Sequence, residues 1–350
     1  MMLFVVTNNG AGRRKWVILL ALLVMIGSVA GAWALQQRGR RPQTTAKPKP
    51  VPKECPIDGE RAMETLRKIC ALGPRISDSP AMRQQQDFIR DHFEKLGAKV
   101  TKQEFSARHP LKGMVTLANM IVEFHPEATE RILICCHYDT RPYATNDPDY
   151  RARTTEGLFV GANDGASGVA LLSEMGRLIP DLKCNYGVDF VFFDAEELIY
   201  NERTVMSEGD PYFLGSTYFA EQYKKNPPKH RSQWGVLVDM IADADLQIFQ
   251  EKHSATWRDT RPLVKEIWAV AKRLGVKEFV PRVLHEVRDD HLPLHDIGGI
   301  SCCDIIDFDY PYPGAHPQYW HTLQDVPENC SGRSMALVGW VLIEWLKSVK

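Results

Sequence analysis

The chain has 350 residues, 44% of them hydrophobic and 25% charged, which suits one large globular domain of roughly 300 residues with an appendage. Its formal net charge of −1, with Lys and Arg scattered once the N-terminal region is passed, gives no electrostatic case for a polyanion, so a nucleic-acid partner is not expected. Eight cysteines in a chain this long exclude a disulfide scaffold, and no CxxC spacing is present.

The first fifty-four residues differ in composition from the rest. Residues 1–15 form a short basic segment ending in Arg13, Arg14 and Lys15, and residues 16–35 are apolar without a single charge. Twenty such residues are about the length of a helix that crosses a bilayer, so a transmembrane anchor is expected there. Small residues at Ala30, Ala32 and Ala34 leave a cleaved signal segment as the second reading. Arg38, Arg40 and Arg41 balance the upstream charges, so the flanks do not set the orientation. The Pro- and Lys-rich stretch RRPQTTAKPKPVPKE completes a linker over residues 36–54. On this reading residues 16–35 bring the chain to a membrane and the domain 55–350 lies outside the cytoplasm, periplasmic or extracellular, or is secreted if the segment is cleaved.

Helical spacing runs over residues 58–72 and stops at Gly73-Pro74; a second helix follows from Ser79-Pro80 to Leu96 and ends at Gly97. Strand-like runs lie at 98–106, 115–124, 131–136, 186–193, 234–241 and 300–306, and helical patterns at 165–179, 215–225, 259–274 and 333–348. Apolar strands alternating with amphipathic helices predict an α/β three-layer domain with a mostly parallel central sheet. Cys135 with Cys136 and Cys302 with Cys303 sit inside apolar runs and read as packing; a Cys55–Cys70 bridge is the less favoured alternative for an exported domain.

Parallel sheets gather ligands at the carboxyl ends of their strands, and the polar residues of this chain collect there. ILICCHYD ends at His137 and Asp139, FVFFDAEE at Glu196 and Glu197, WGVLVDM at Asp239, and SCCDIIDFD runs into the loop that holds His321. In an HxD pair on a strand the two side chains share a face, so Asp139 is placed to orient His137 or to accept its second N–H. GLFVGANDGASGVALL carries Asp164 among glycines that allow a metal to come close, although Asn-Asp-Gly is also an ordinary turn signal. Adjacent Glu196 and Glu197 diverge at the strand end, so one is able to hold a metal while the other carries protons. With His321 they make an Asp, Glu, His set of the kind that binds a catalytic zinc with one open position. Asp239 and the pair Asp289-Asp290 add carboxylates at the same end.

The ordered series HxD, GANDGASG, DAEE, VD and YWHT resembles the zinc aminopeptidase family and its relatives the glutaminyl-peptide cyclotransferases, or glutaminyl cyclases, over residues 55–350. The resemblance implies a zinc exopeptidase-like fold with peptide or protein N-termini as substrates. Asp164, Glu197 and His321 match the ligands of one Zn2+; His137 and Asp239, with Asp164 bridging, match those of a second, with Asp139 in its outer shell; Glu196 matches the general base. In the cyclase branch one zinc serves, Asp239 and Asp289 match a carboxylate network behind Glu196, and N-terminal glutamine becomes pyroglutamate with release of ammonia. In the aminopeptidase branch two zincs serve and N-terminal residues are hydrolysed from peptides. HYDTRP with a following DP, DDHLPL, and Trp320 before His321 look like the cyclases, and Trp320 would then wall the substrate pocket. The stretch from Leu198 to Leu214 before Gly215-Ser216 is also long in the cyclase manner. Three features depart from the cyclase pattern: no tryptophan lies between Glu197 and Gly215, leaving Tyr200, Tyr212 or Phe213 to substitute; Asp304 stands where animal cyclases carry a second histidine; and the animal cyclases' active-site disulfide is not expected, since Cys136 has no cysteine partner in GASGVALL. A third branch, metal-free relatives serving as binding ectodomains, would be marked by lost ligands, and none of these positions is substituted.

Overall fold

The long apolar runs of the sequence become the strands of one six-stranded sheet. The computed structural model describes residues 50–202, 209–315 and 318–349, so the expected basic segment, anchor and most of the linker lie outside the described residues. Among the described residues no helix is long and apolar enough to cross a membrane.

Helix α1 spans Gly59–Cys70 and is capped by the Asp58 side chain, which accepts from the Arg61 N–H. Helix α2, Pro80–Lys95, starts with proline at its first position and is capped by Ser79. Strands β1 (Lys99–His109) and β2 (Gly113–Phe124) form an antiparallel hairpin, and β3 is Arg131–His137. A short α3 (Tyr150–Thr154) precedes α4 (Ala166–Met175), β4 (Gly187–Phe193) and α5 (Leu214–Lys225). Then come β5 (Ser232–Asp239), β6 (Ile248–Gln250), α6 (Lys252–Thr256), α7 (Arg261–Leu274), β7 (Phe279–Val283), α8 (His291–Asp296), β8 (Cys302–Ile306) and α9 (Gly332–Ser348).

The strand order is β1-β2-β4-β3-β5-β8, with β6 and β7 as a separate parallel pair. β4, β3, β5 and β8 are mutually parallel, while β2 runs antiparallel to both β1 and β4. The sheet is thus parallel where its carboxyl ends converge and antiparallel at one edge.

Alternate side chains on these strands feed two cores, as the twofold period of a strand requires. Ile132, Ile134 and Cys136 of β3 with Phe190 and Phe192 of β4 pack against α1, α2, α4, α7 and α9 in the larger core. Leu133, Cys135, Val191 and Phe193 point the other way, against Phe219 and Tyr223 of α5 and Leu294 of α8. The result is three layers, helices on sheet on helices. Phe93 sets its ring against Phe190 and Phe192; burying an aromatic of this size contributes about 1.5–3 kcal/mol. All eight cysteines are free thiols, Cys55 and Cys70 included.

Candidate active site

Four strand ends deliver the polar residues to one place. β3 ends at His137 and β5 at Asp239, while Glu196 and Glu197 follow β4 by a few residues. Asp164 precedes α4, and His321 lies in the loop after β8. His137 Nε2 is 3.1 Å from Asp164 Oδ1 and 3.2 Å from Asp239 Oδ1. His321 Nε2 is 2.6 Å from Glu197 Oε1 and 3.5 Å from Asp164 Oδ2. Asp164 therefore belongs to two donor groups, His137/Asp164/Asp239 and Asp164/Glu197/His321, whose atoms lie within 4.8 Å of one another in each.

Local backbone explains how the residues meet. Gly165 has φ +89°, and a Cβ there would stand 2.7 Å from the Asp139 carbonyl oxygen and 3.2 Å from the His137 ring, so only glycine lets the Asp164 turn close on β3. Ala195, Met240 and His321 hold left-handed φ values of 56°, 45° and 55°. Such residues cost on the order of 1–3 kcal/mol each and collect where geometry is imposed for function. Each of the three stands at or beside a donor or Glu196.

Asp139 serves the site differently from the HxD expectation. Its carboxylate accepts the backbone N–H of Glu196 at 3.1 Å and of Glu197 at 2.9 Å, so it fixes the loop that carries both acids. From His137 Nδ1 it stands 3.6 Å away, outside hydrogen-bond distance. Asp325 plays the matching part for Asp164, accepting the N–H of Asn163 at 2.7 Å and of Asp164 at 3.1 Å. Motif reading missed Asp325; its only signal was its place four residues after His321.

Burial and charge then set protonation. Burial and the Glu197 charge hold the Asp164 carboxyl well above the usual carboxylate range. Glu197 goes the other way, to about 2, because His321 and Arg141 outweigh its burial. Burial and Arg141 depress His321 and keep its imidazole neutral. Neutral imidazole beside an ionised carboxylate is the form a metal requires. Asp164 Oδ2, Glu197 Oε2 and His137 Nδ1 are buried without a hydrogen-bond partner. Orphaned buried polar atoms are costly unless a ligand satisfies them; the two carboxylate oxygens belong to donor residues, whereas His137 Nδ1 faces Asp139 and leaves Nε2 to the donor group. The donor chemistry of Asp, Glu and His fits zinc.

Glu196 is half-buried, and burial together with the Glu197 charge pushes its carboxyl well above the ordinary glutamate value. It borders a cavity of about 440 Å³ with Asp164, Glu197, Asp239, Asp289 and His321. Tyr212, Phe213, Phe308 and Trp320 supply aromatic wall, the Trp320 ring lying 4.0 Å from that of His321. Tyr200 is not among the lining residues; it stacks edge-on with His109 and Tyr143 and donates to Glu156. Asp304 is fully buried, and burial followed by the Asp289 charge pushes its carboxyl well above the usual carboxylate range. Arg141, also unforeseen, donates to Glu197 Oε1 at 3.0 Å and reaches Glu202 and the Tyr212 hydroxyl. A second cavity, of about 520 Å³, opens over β1, β2, β4 and α5, and none of the donor residues lines it.

The model of peptidase family M28 matches residues 119–346, which takes in every donor named above. The chain belongs to this family. Within M28 it is 38% identical to the glutaminyl cyclase of Fimbriiglobus ruber, whose crystal structure superposes with a TM-score of 0.79 over 87% of this chain and 100% of that one. It is 29% identical to a Zn-dependent exopeptidase from Parabacteroides distasonis, with a TM-score of 0.75 over 85% and 99% of the two chains. The curated glutaminyl-peptide cyclotransferase of Gloydius blomhoffii is 24% identical over 285 residues, 73% of this chain and 72% of that protein. These likenesses give the chain a zinc exopeptidase-like fold, and the family together with the Zn-dependent exopeptidase neighbour implies zinc.

Proposed function

We propose that this M28 protein is a zinc-dependent glutaminyl-peptide cyclotransferase that converts N-terminal glutamine of peptides or proteins to pyroglutamate, releasing ammonia. The observation that carries the reading is an aromatic-walled cavity in which an uplifted Glu196 carboxyl stands beside the Asp164, Glu197, His321 donor set. The 38% identity to the Fimbriiglobus ruber cyclase supports the same branch.

Asp164, Glu197 and His321 would hold the zinc, which when bound polarises the γ-carboxamide carbonyl of the substrate. The substrate's own α-amine is the nucleophile, so the reaction gains chiefly from holding amine and amide in attack geometry. Tyr212, Phe213, Phe308 and Trp320 form the aromatic wall against which the substrate would be held. As the amine nitrogen bonds to the side-chain carbonyl carbon, Glu196 accepts its proton and hands it to the amide nitrogen, which departs as ammonia when its C–N bond breaks. A carboxyl raised above its ordinary value holds a proton more readily for the second half of that transfer, and a cation bound next door would favour the ionised form that the first half needs. Asp239 and Asp289 border the cavity beside Glu196 and form its carboxylate surroundings.

A two-zinc aminopeptidase is the second reading, favoured by the intact His137, Asp164, Asp239 group. The two separate on one measurement. Purified full-length protein is offered a Gln-peptide and a leucine anilide in parallel, with mass spectrometry of products and zinc analysis. Loss of ammonia from the Gln-peptide with one zinc per chain is expected, whereas leucine release with two zincs would overturn the cyclase assignment. We place the catalytic domain outside the cytoplasm, tethered by residues 16–35; the uncharged apolar run of membrane-spanning length supports that placement.

A further inference from the structure

Arg141 has no part in the proton transfer, yet its side chain is only 1% exposed and stands against the metal donors. The fork of its guanidinium divides between two places. Nη1 donates to Glu197 Oε1 at 3.0 Å and lies 3.4 Å from His321 Nε2. Nη2 donates to Glu202 and, at 3.2 Å, to the Tyr212 hydroxyl. Glu202 and Tyr212 both line the substrate cavity. One side chain thus joins a donor for zinc to the wall that holds the substrate.

We propose that Arg141 is a positioning residue that presents Glu197 to the metal through one free oxygen and couples that donor to the pocket wall formed by Glu202 and Tyr212. The proposal rests on the metal-site reading above and extends it to a residue outside the donor set. With Oε1 engaged by Arg141 and His321, Glu197 Oε2 is left without a partner. The carboxylate is therefore oriented before a cation arrives, and outer partners that orient a ligand in this way commonly shift metal affinity by about 10- to 100-fold. At the other end, Glu202 is half-exposed and contributes chiefly as an acceptor for a buried cation. A rigid planar fork bridges two carboxylates at fixed angles; the ammonium of lysine, a point charge on a flexible stem, cannot reproduce the bridge.

The test uses full-length protein and three variants: Arg141→Lys, Glu202→Gln and the double variant. Zinc affinity is read by competition with a chromogenic chelator, the melting temperature of zinc-free protein by calorimetry, and KM and kcat with a Gln-peptide. Arg141→Lys is expected to weaken zinc by about 10-fold or more and to raise KM. Glu202→Gln changes a surface-accessible group, so it should fold normally, keep wild-type zinc affinity and raise KM by a few fold. The double variant should show no KM increase beyond that of Arg141→Lys, because both cut one bridge. Wild-type zinc affinity in Arg141→Lys, or independent additive effects on KM, would overturn the proposal. A purely structural arginine would lower the melting temperature and leave zinc affinity alone. If the wild-type protein binds zinc but does not cyclise glutamine, the function fails while the zinc-affinity arm still decides on Arg141.

Discussion

Two buried arginines, one in each large cavity, show how a structural charge differs from one set up for a ligand. Arg131 lies beneath the cavity over β1, β2 and β4 and pairs with Asp189 through Nε and Nη2. Its remaining donors go to the carbonyls of Phe124 and His125. Neither residue leaves a buried side-chain atom unpartnered, and the pair is complete as it stands. Arg141 and Glu197 are as deeply placed, but Arg141 Nε and Glu197 Oε2 are both orphaned, and so is Oδ2 of the neighbouring donor Asp164. A protein keeps such costs where a ligand removes them. The first pair holds the sheet; the second is half of a binding site.

The largest expected effect that sharpens this contrast is at Glu196. Glu196→Gln preserves shape but removes the proton carrier, and kcat should fall by about 10²- to 10⁴-fold while zinc is retained. Steady-state assays with a Gln-peptide measure it; a loss under threefold would remove Glu196 from the chemistry.

Next comes the structural pair. Asp189→Ala strands a buried guanidinium and should cost about 3–5 kcal/mol of unfolding free energy by denaturant titration. Zinc affinity and KM should stay at wild-type values, and a change in either would erase the distinction between the two arginines.

A change confined to the pH dependence of stability probes an orphan that is not a ligand. Asp243 Oδ2 is buried without a partner, but Asp243 stands in neither donor group. Burial, aided by the Asp307 charge, pushes its carboxyl up to about 8. In the unfolded chain it titrates near the ordinary value of about 3.9. Between those two values the folded state holds a proton that the unfolded state has released, so stability falls as pH rises across that window. Asp243→Asn should flatten this slope, leaving the melting temperature nearly unchanged at about pH 4 and raising it near pH 8 relative to wild type. An unaltered pH profile would mean that Asp243 is not protonated in the fold.

Much of the fold was legible because the strands are long and apolar. Residues 131–136 and 186–193 became β3 and β4 within one residue at each end, since both faces of these strands are buried. The antiparallel turn at the β1–β2 edge was not read from pattern, because it depends on a tight connection at residues 110–112 that carries no periodic signal. Helices α3, α6 and α8 have five or six residues, too few for a helical period to register. At the site, His137, Asp164, Glu197 and Asp239 could be placed because they stand at or just beyond a strand end or just before a helix, whereas His321, in the loop after β8, was legible only from the motif around it. Residues that act on backbone or on other side chains could not be: Asp139 caps the Glu196-Glu197 loop from another strand, and Arg141 meets Glu202 and Tyr212 only once the stretch after Glu197 folds back over it. Tyr212 and Phe213 had been named with Tyr200 as candidate wall residues, and only the packing of that stretch separates them.

The division of labour between the adjacent glutamates is tested most directly by zinc titration of full-length Glu196→Gln and Glu197→Gln beside the wild-type protein. Glu197→Gln should lose zinc affinity by at least about 10-fold, whereas Glu196→Gln should bind zinc as the wild type does and fail to release ammonia from a Gln-peptide. Equal zinc loss in the two variants, or full turnover in Glu196→Gln, would contradict the assignment of one carboxylate to the metal and its neighbour to the proton.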